Sequence, residues 1–155
     1  MRNGRRRFLR SSGALSLLRL MAAAGLLPGP AAAEEWNKAA FASRSIDELL
    51  KLLGGSAPQE SDRVTLNGPE IVENGGVVPL DISSGLPDTE SIDILIEKNP
   101  DVLAGTFTIP AGTLPDIQTR VKMAQTCNVY ALVKSRGKYY YCAREIKVTV
   151  GGCGG

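Results

Sequence analysis

VYALVKS (129–135), RG (136–137) and KYYYCAREIKVTV (138–150) make up the stretch on which the fold turns. Val129, Ala131 and Val133 alternate with Tyr130, Leu132 and Lys134, the period of a strand whose successive side chains face opposite ways. Arg136-Gly137 supplies a tight turn, and aromatic and β-branched residues resume beyond it. A hairpin closed there sets Ala131 opposite Cys142. Alternation sets Tyr140 on the opposite face from Tyr139 and Tyr141. These tyrosines read as cross-strand packing, or as a face that meets a second subunit, where tyrosine is favoured.

Upstream the same period recurs. Val78, Leu80 and Ile82 alternate with Pro79 and Asp81. Ile92, Ile94 and Ile96 alternate with Asp93, Leu95 and Glu97. Phe107 and Ile109 follow, then Ile117, Thr119, Val121 and Met123, the last read as core. Turn signals recur every ~8–12 residues, among them Asn67-Gly68-Pro69, Asn74-Gly75-Gly76, Asn99-Pro100-Asp101 and Ala111-Gly112. That rhythm predicts about seven or eight short strands in an antiparallel, immunoglobulin-like β-sandwich over residues 63–150. The acidic residues are scattered and read as a solvated surface.

Residues 34–62 read as an N-terminal helix and a linker. Ser45 and Glu48 form a capping box. Ile46, Leu49, Leu50 and Leu53 share one helical face, and Gly54 stands where a helix ends. The helix either begins near Trp36–Phe41 with a break at Ser43–Ser45 or is a single piece. Its apolar face covers its own sandwich or another chain. Gly54–Ser61 is the linker.

Composition excludes much else. The chain has 155 residues, room for one domain, with 43% hydrophobic and 22% charged residues, unlike a disordered or collagen-like chain. It has no histidine, so histidine triads, histidine metal sites and a CxxCH haem attachment are excluded. Its three cysteines include no CxxC, which argues against a zinc site and a thiol oxidoreductase. No phosphate-binding loop motif is present. Neither a metal nor a cofactor is expected.

Residues 1–33 carry six arginines and no acid. A short Ala/Leu-rich stretch follows, interrupted by Arg19, and ends in Ala31-Ala32-Ala33. Charged start, apolar middle and small-residue end are the order of an export signal. A membrane span needs ~20 clean apolar residues, so no membrane anchor is expected. Arg5, Arg6, Phe8 and Leu9 fall in register with the twin-arginine pattern R-R-x-F-L-K, a receptor-read address. An ordinary secretory signal with a basic start is the alternative. The expected location is the periplasm, reached by the twin-arginine route. Cleavage after Ala33 leaves 12 basic against 16 acidic residues, so nucleic-acid binding has no electrostatic support.

The chain ends Gly151-Gly152-Cys153-Gly154-Gly155. Four glycines remove every neighbouring side chain that could shield or orient the sulfur, and glycine has the widest backbone freedom. Residues 151–155 therefore read as a flexible arm, with ~10 Å of extended reach from Val150 to Cys153. A catalytic nucleophile needs a fixed base and an oxyanion site. This tail has neither, so its sulfur is better suited to being carried to catalysts than to being one. A structural disulfide from Cys153 to another chain is the competing use of the same thiol, in an interaction module.

Cys127 and Cys142 are the candidate disulfide pair, with two buried thiols as the alternative. Parity sets Cys127 on the face of Val129 and Ala131, and Cys142 on that of Ile146 and Val148. The hairpin register leaves Cys127 four residues, ~13 Å, from the position opposite Cys142. A disulfide needs Cα atoms within ~7 Å, so pairing would require a bulge or bend before Asn128.

A C-terminal GGCGG after a V-x-V strand, behind a twin-arginine signal, resembles the SoxY family, the sulfur-carrier subunits of the thiosulfate-oxidising Sox system. The runs Arg120–Thr126 and Lys147–Gly155 are similar to that family, and the resemblance spans Glu34–Gly155. It implies an immunoglobulin-like fold and a heterodimer with a SoxZ-like β-sandwich subunit. It also implies substrate held covalently on Cys153 and no catalysis by the chain itself. A SoxAX-like haem enzyme would couple thiosulfate to Cys153, and a SoxB-like hydrolase would release sulfate. In some organisms a SoxCD-like sulfane dehydrogenase would act between hydrolyses. Cysteines at 127 and 142 depart from the family's needs.

Overall fold

The structure, a computed structural model, describes residues 37–54 and 57–150. Among the described residues two short helices come first, α1 (Lys38–Phe41) and α2 (Ile46–Leu53). Nine strands follow: β1 (Gln59–Glu60), β2 (Val64–Asn67), β3 (Ile71–Asn74), β4 (Val78–Ser84), β5 (Thr89–Ile96), β6 (Leu103–Thr108), β7 (Asp116–Val121), β8 (Cys127–Ser135) and β9 (Lys138–Val150).

The β8–β9 hairpin organises the larger sheet. Arg136 and Gly137 both take positive φ, 49° and 71°. That is the turn geometry whose twist matches the flanking strands. The ladder then runs from Ser135↔Lys138 through Ala131↔Cys142 to Cys127↔Ile146, the register read from the sequence. Next to β8 lies β5, and then β6, all antiparallel. The smaller sheet is β2-β4-β7.

The two sheets face each other across one core. Leu66, Val78, Leu80, Ile82 and Val121 of the smaller sheet meet Ile92, Ile94, Ile96, Val129, Ala131, Val133 and Ile146 of the larger. These are the alternating residues of the sequence pattern, and burying one face of each strand is what fixes register. Met123 is fully buried, but it follows β7 in a loop rather than extending it.

A second apolar layer covers the outer face of the larger sheet. Leu49 of α2 is fully buried with Ala40, Leu95, Val102, Leu103, Leu132 and Tyr139. The helix face therefore closes on its own sandwich. The Ser45 hydroxyl accepts from the Glu48 amide at 3.2 Å, and the Glu48 carboxylate accepts from the Arg44 amide at 2.9 Å. The cap thus reaches one residue further back than the usual reciprocal bond to the N-cap amide. Gly54 ends α2 in the left-handed region, φ 66°, which glycine adopts without a Cβ clash. Val102 donates to the Ser43 carbonyl at 3.0 Å and ties the helices to the β5–β6 loop.

The helical segment takes the broken form, two helices with Ala42–Ser45 between them. Three sequence expectations change. The linker Gly54–Ser61 contains a strand, β1, and the count rises to nine. The antiparallel sandwich also carries two parallel pairings, because β9 has a second edge that β8 does not cover. Its free edge takes β1 at Tyr140–Tyr141 and β3 at Lys147–Val150. Finally, Asp93 is not solvated. It lies in the middle of β5 at 3% exposure, between Thr106 of β6 and Leu132 of β8.

Candidate functional site

The end of β9 is where a C-terminal arm would begin, and the fold holds it from both sides. The last β8–β9 pair is Cys127↔Ile146, because β8 starts at Cys127. Lys147–Val150 continue with no β8 strand beside them. There the Thr126 hydroxyl takes the strand's place. It accepts from the Val148 amide at 2.9 Å and donates to the Val148 carbonyl at 3.3 Å. On the other edge β3 runs parallel, with Ile71↔Lys147, Val72↔Val148 and Asn74↔Val150 in register. Lys147 donates its amide to the Glu70 carbonyl at 2.9 Å. The Thr149 hydroxyl lies 3.2 Å from the Glu73 carbonyl.

The loop that presents Thr126 is braced in turn. Asn99, in the β5–β6 loop, donates from Nδ2 to the Lys122 carbonyl at 2.8 Å, and its Oδ1 accepts from the Ala124 amide at 3.0 Å. The Met123 amide donates to the Gly75 carbonyl at 2.7 Å, joining this loop to the β3–β4 turn. Three loops thus converge on one rim of the sandwich around the end of β9. Sequence reading missed Thr126 and Asn99 as a group. Nothing local marks them, since their partners lie 22 to 25 residues away.

Cys127 and Cys142 are separate thiols. Cys127 is buried in the inner core, and burial pushes its thiol up, opposed by the Lys98 amide. Cys142 is half-buried at the edge of the same core, opposite Ala131. No bulge interrupts the β8–β9 ladder to bring the two together, so the disulfide alternative is not formed. Tyr139 and Tyr141 join the outer layer and Tyr140 the inner core. The Tyr130 and Tyr141 rings sit 6.1 Å apart, and both line a groove of about 360 Å³ beside Ile46 and Leu50 of α2.

Among the described residues no group of His, Cys, Asp or Glu is placed to hold a metal ion. None of their helices is long and apolar enough to cross a membrane. Cys153 and its glycines lie outside the described residues, as do Arg5, Arg6, Phe8 and Leu9 of the export signal.

Two facing sheets, one with helices on its outer face and a C-terminal strand gripped at one rim, define an immunoglobulin-like β-sandwich. Comparison with solved structures agrees. The chain is similar to the sulfur carrier protein SoxY from Chlorobium limicola f thiosulfatophilum, at 32% identity and a TM-score of 0.61. The match covers 67% of this chain and 94% of that one. The family model for the sulfur oxidation protein SoxY matches residues 49–153, ending on Cys153. The chain belongs to the SoxY family. No curated protein matched it.

Proposed function

We propose that this chain is a covalent carrier of sulfur intermediates in thiosulfate oxidation, with Cys153 as the attachment point. Gly151, Gly152, Gly154 and Gly155, which flank it in sequence, would serve as its arm. The observation that carries this reading is the sequence GGCGG placed directly after the gripped end of β9, within a family match that ends on the cysteine. The sandwich is the handle, and residues 151–155 follow directly on β9.

The chemistry asked of Cys153 is simple. Its thiolate and the outer sulfur of thiosulfate form an S–S bond as two electrons leave to a SoxAX-like haem enzyme. Water then attacks the terminal sulfonate on a SoxB-like hydrolase. Sulfate departs and a cysteine persulfide remains. Further oxidation of that outer sulfur, by a SoxCD-like sulfane dehydrogenase, yields a second sulfonate, whose hydrolysis restores the thiol. Each catalytic group belongs to a partner enzyme. The chain contributes a thiol, a tether and a docking body, needs no cofactor of its own, and pairs with a SoxZ-like subunit. Twin-arginine export and removal of residues 1–33 place it in the periplasm.

The test is intact-mass analysis of protein from thiosulfate-exposed cells, before and after mild reductant, with fragment mapping. The expected result is sulfur or sulfur–oxygen additions on Cys153, lost on reduction. Cys153→Ser should abolish them and thiosulfate oxidation while leaving the unfolding transition in place. Only a protein–protein disulfide at Cys153, or oxidation that survives Cys153→Ser, would overturn the reading in favour of an interaction module.

A further inference from the structure

The hydroxyl of Thr126 occupies an unusual position. Where β8 has not yet begun, one side chain supplies both hydrogen bonds that a strand would have offered Val148, at 2.9 and 3.3 Å. Threonine can do this because a hydroxyl both donates and accepts. It stays in place because Asn99 clasps the loop ahead of it at Lys122 and Ala124, with bonds of 2.8 and 3.0 Å. Chain termini ordinarily fray unless tied down. Here β3 ties one edge of Lys147–Val150, and Thr126 ties the other.

We propose that Thr126, braced by Asn99, is a positioning residue that keeps β9 in place through Val150 and thereby sets the pivot and free length of the cysteine arm. The proposal rests on the carrier reading above and goes beyond it. A tethered thiol meets a docked enzyme at an effective concentration fixed by tether length, falling roughly as length to the power −3/2. From Val150 the arm has three links to Cys153. If the last residues came away as far as Lys147, it would have six. Doubling the tether lowers the effective concentration about threefold and widens the reach from ~10 to ~20 Å. A short arm with a fixed root enters a cleft of matched depth; a long one wanders.

Thr126→Val removes the hydroxyl and keeps the side-chain volume, whereas Thr126→Ser keeps the hydroxyl. Two loading reactions separate the roles. Tetrathionate, a small reagent, places a thiosulfate group on an accessible thiolate and releases thiosulfate, whatever the tether length. A SoxAX-type enzyme with thiosulfate requires the arm to reach its site. In Thr126→Val we expect amide exchange at Val148 and Thr149 to quicken about tenfold, with Ile94 and Val129 unchanged. Enzyme loading of Cys153 should fall in kcat/KM, by up to about threefold as the strand end also leaves β3, and tetrathionate loading should hold. Thr126→Ser should restore both, and Asn99→Ala should reproduce the valine pattern. Unchanged exchange, unchanged enzyme loading, or a loss that serine does not rescue would overturn the proposal. Wild-type protein that takes tetrathionate on Cys153 yet is never loaded by the enzyme refutes the carrier reading and the pivot together. Normal wild-type loading with a neutral Thr126→Val refutes the pivot alone.

Discussion

Asp93→Asn tests how the outer face of the larger sheet is held. Asp93 sits opposite Thr106 on β6 and Leu132 on β8, at 3% exposure. Burial pushes its carboxyl from the ordinary 3.8 up to about 6, against a hydrogen bond from Thr106 and the charge of Lys134. Between those two values the folded chain holds a proton that the unfolded chain has released. Stability is therefore greatest below the lower value, falls as pH rises through the window, and has lost this contribution above about 6. A shift of roughly two units corresponds to on the order of 3 kcal/mol. Asparagine removes the charge at nearly constant size, and its amide oxygen can still accept from Thr106. Urea unfolding across pH 4 to 7.5 reads the effect. The variant should be the more stable protein at pH 7.5, by up to about 3 kcal/mol, and the gap should close toward pH 4. Glu90 is held below the usual carboxylate range, chiefly by its bond to Lys134, and works in the opposite direction. It is common to both proteins and cancels in the difference. A gap that stays constant with pH, or a variant no more stable at pH 7.5, would refute the reasoning.

Two further outcomes follow from the packing. Leu49→Ala should cost about 2–5 kcal/mol, because it opens a cavity between α2 and the sheet; a thermal midpoint close to wild type would mean that the helix face is not closed on the sandwich. Burial holds the Cys127 thiol mostly protonated, so at pH 7 it should react with a thiol reagent only on unfolding. Peptide mapping that finds Cys127 labelled in the native protein as fast as an exposed thiol would contradict its placement in the core.

Strand positions, the hairpin register and the helix cap were legible in the sequence because each depends on neighbours within a few residues. Period-two burial, a two-residue turn and an S-x-x-E box carry their own physics. Other features depend on residues far apart. β1 and β3 are short and carry little periodicity of their own; they exist because β9, 13 residues long, leaves an edge that needs partners. Asp93 reads as an ordinary outward position, and its burial depends on a central place in the sheet, between Thr106 of β6 and Leu132 of β8, which alternation does not reveal. The separation of Cys127 from Cys142 was foreshadowed by the register and decided by an unbroken ladder.

The site divides in the same way. The linear chain already carries the features on which the proposed carrier chemistry rests: one cysteine among four glycines and no histidine anywhere. Those are properties of composition and adjacency, and they need no fold. What surrounds the last residues of β9, by contrast, comes from the packing of distant segments. That packing brings Thr126, Asn99 and β3 to the last residues of β9 from separate parts of the chain. Hydrogen bonds between groups so far apart in sequence form only once both sheets have packed, because the ordering entropy of three loops is offset only by the core beneath them.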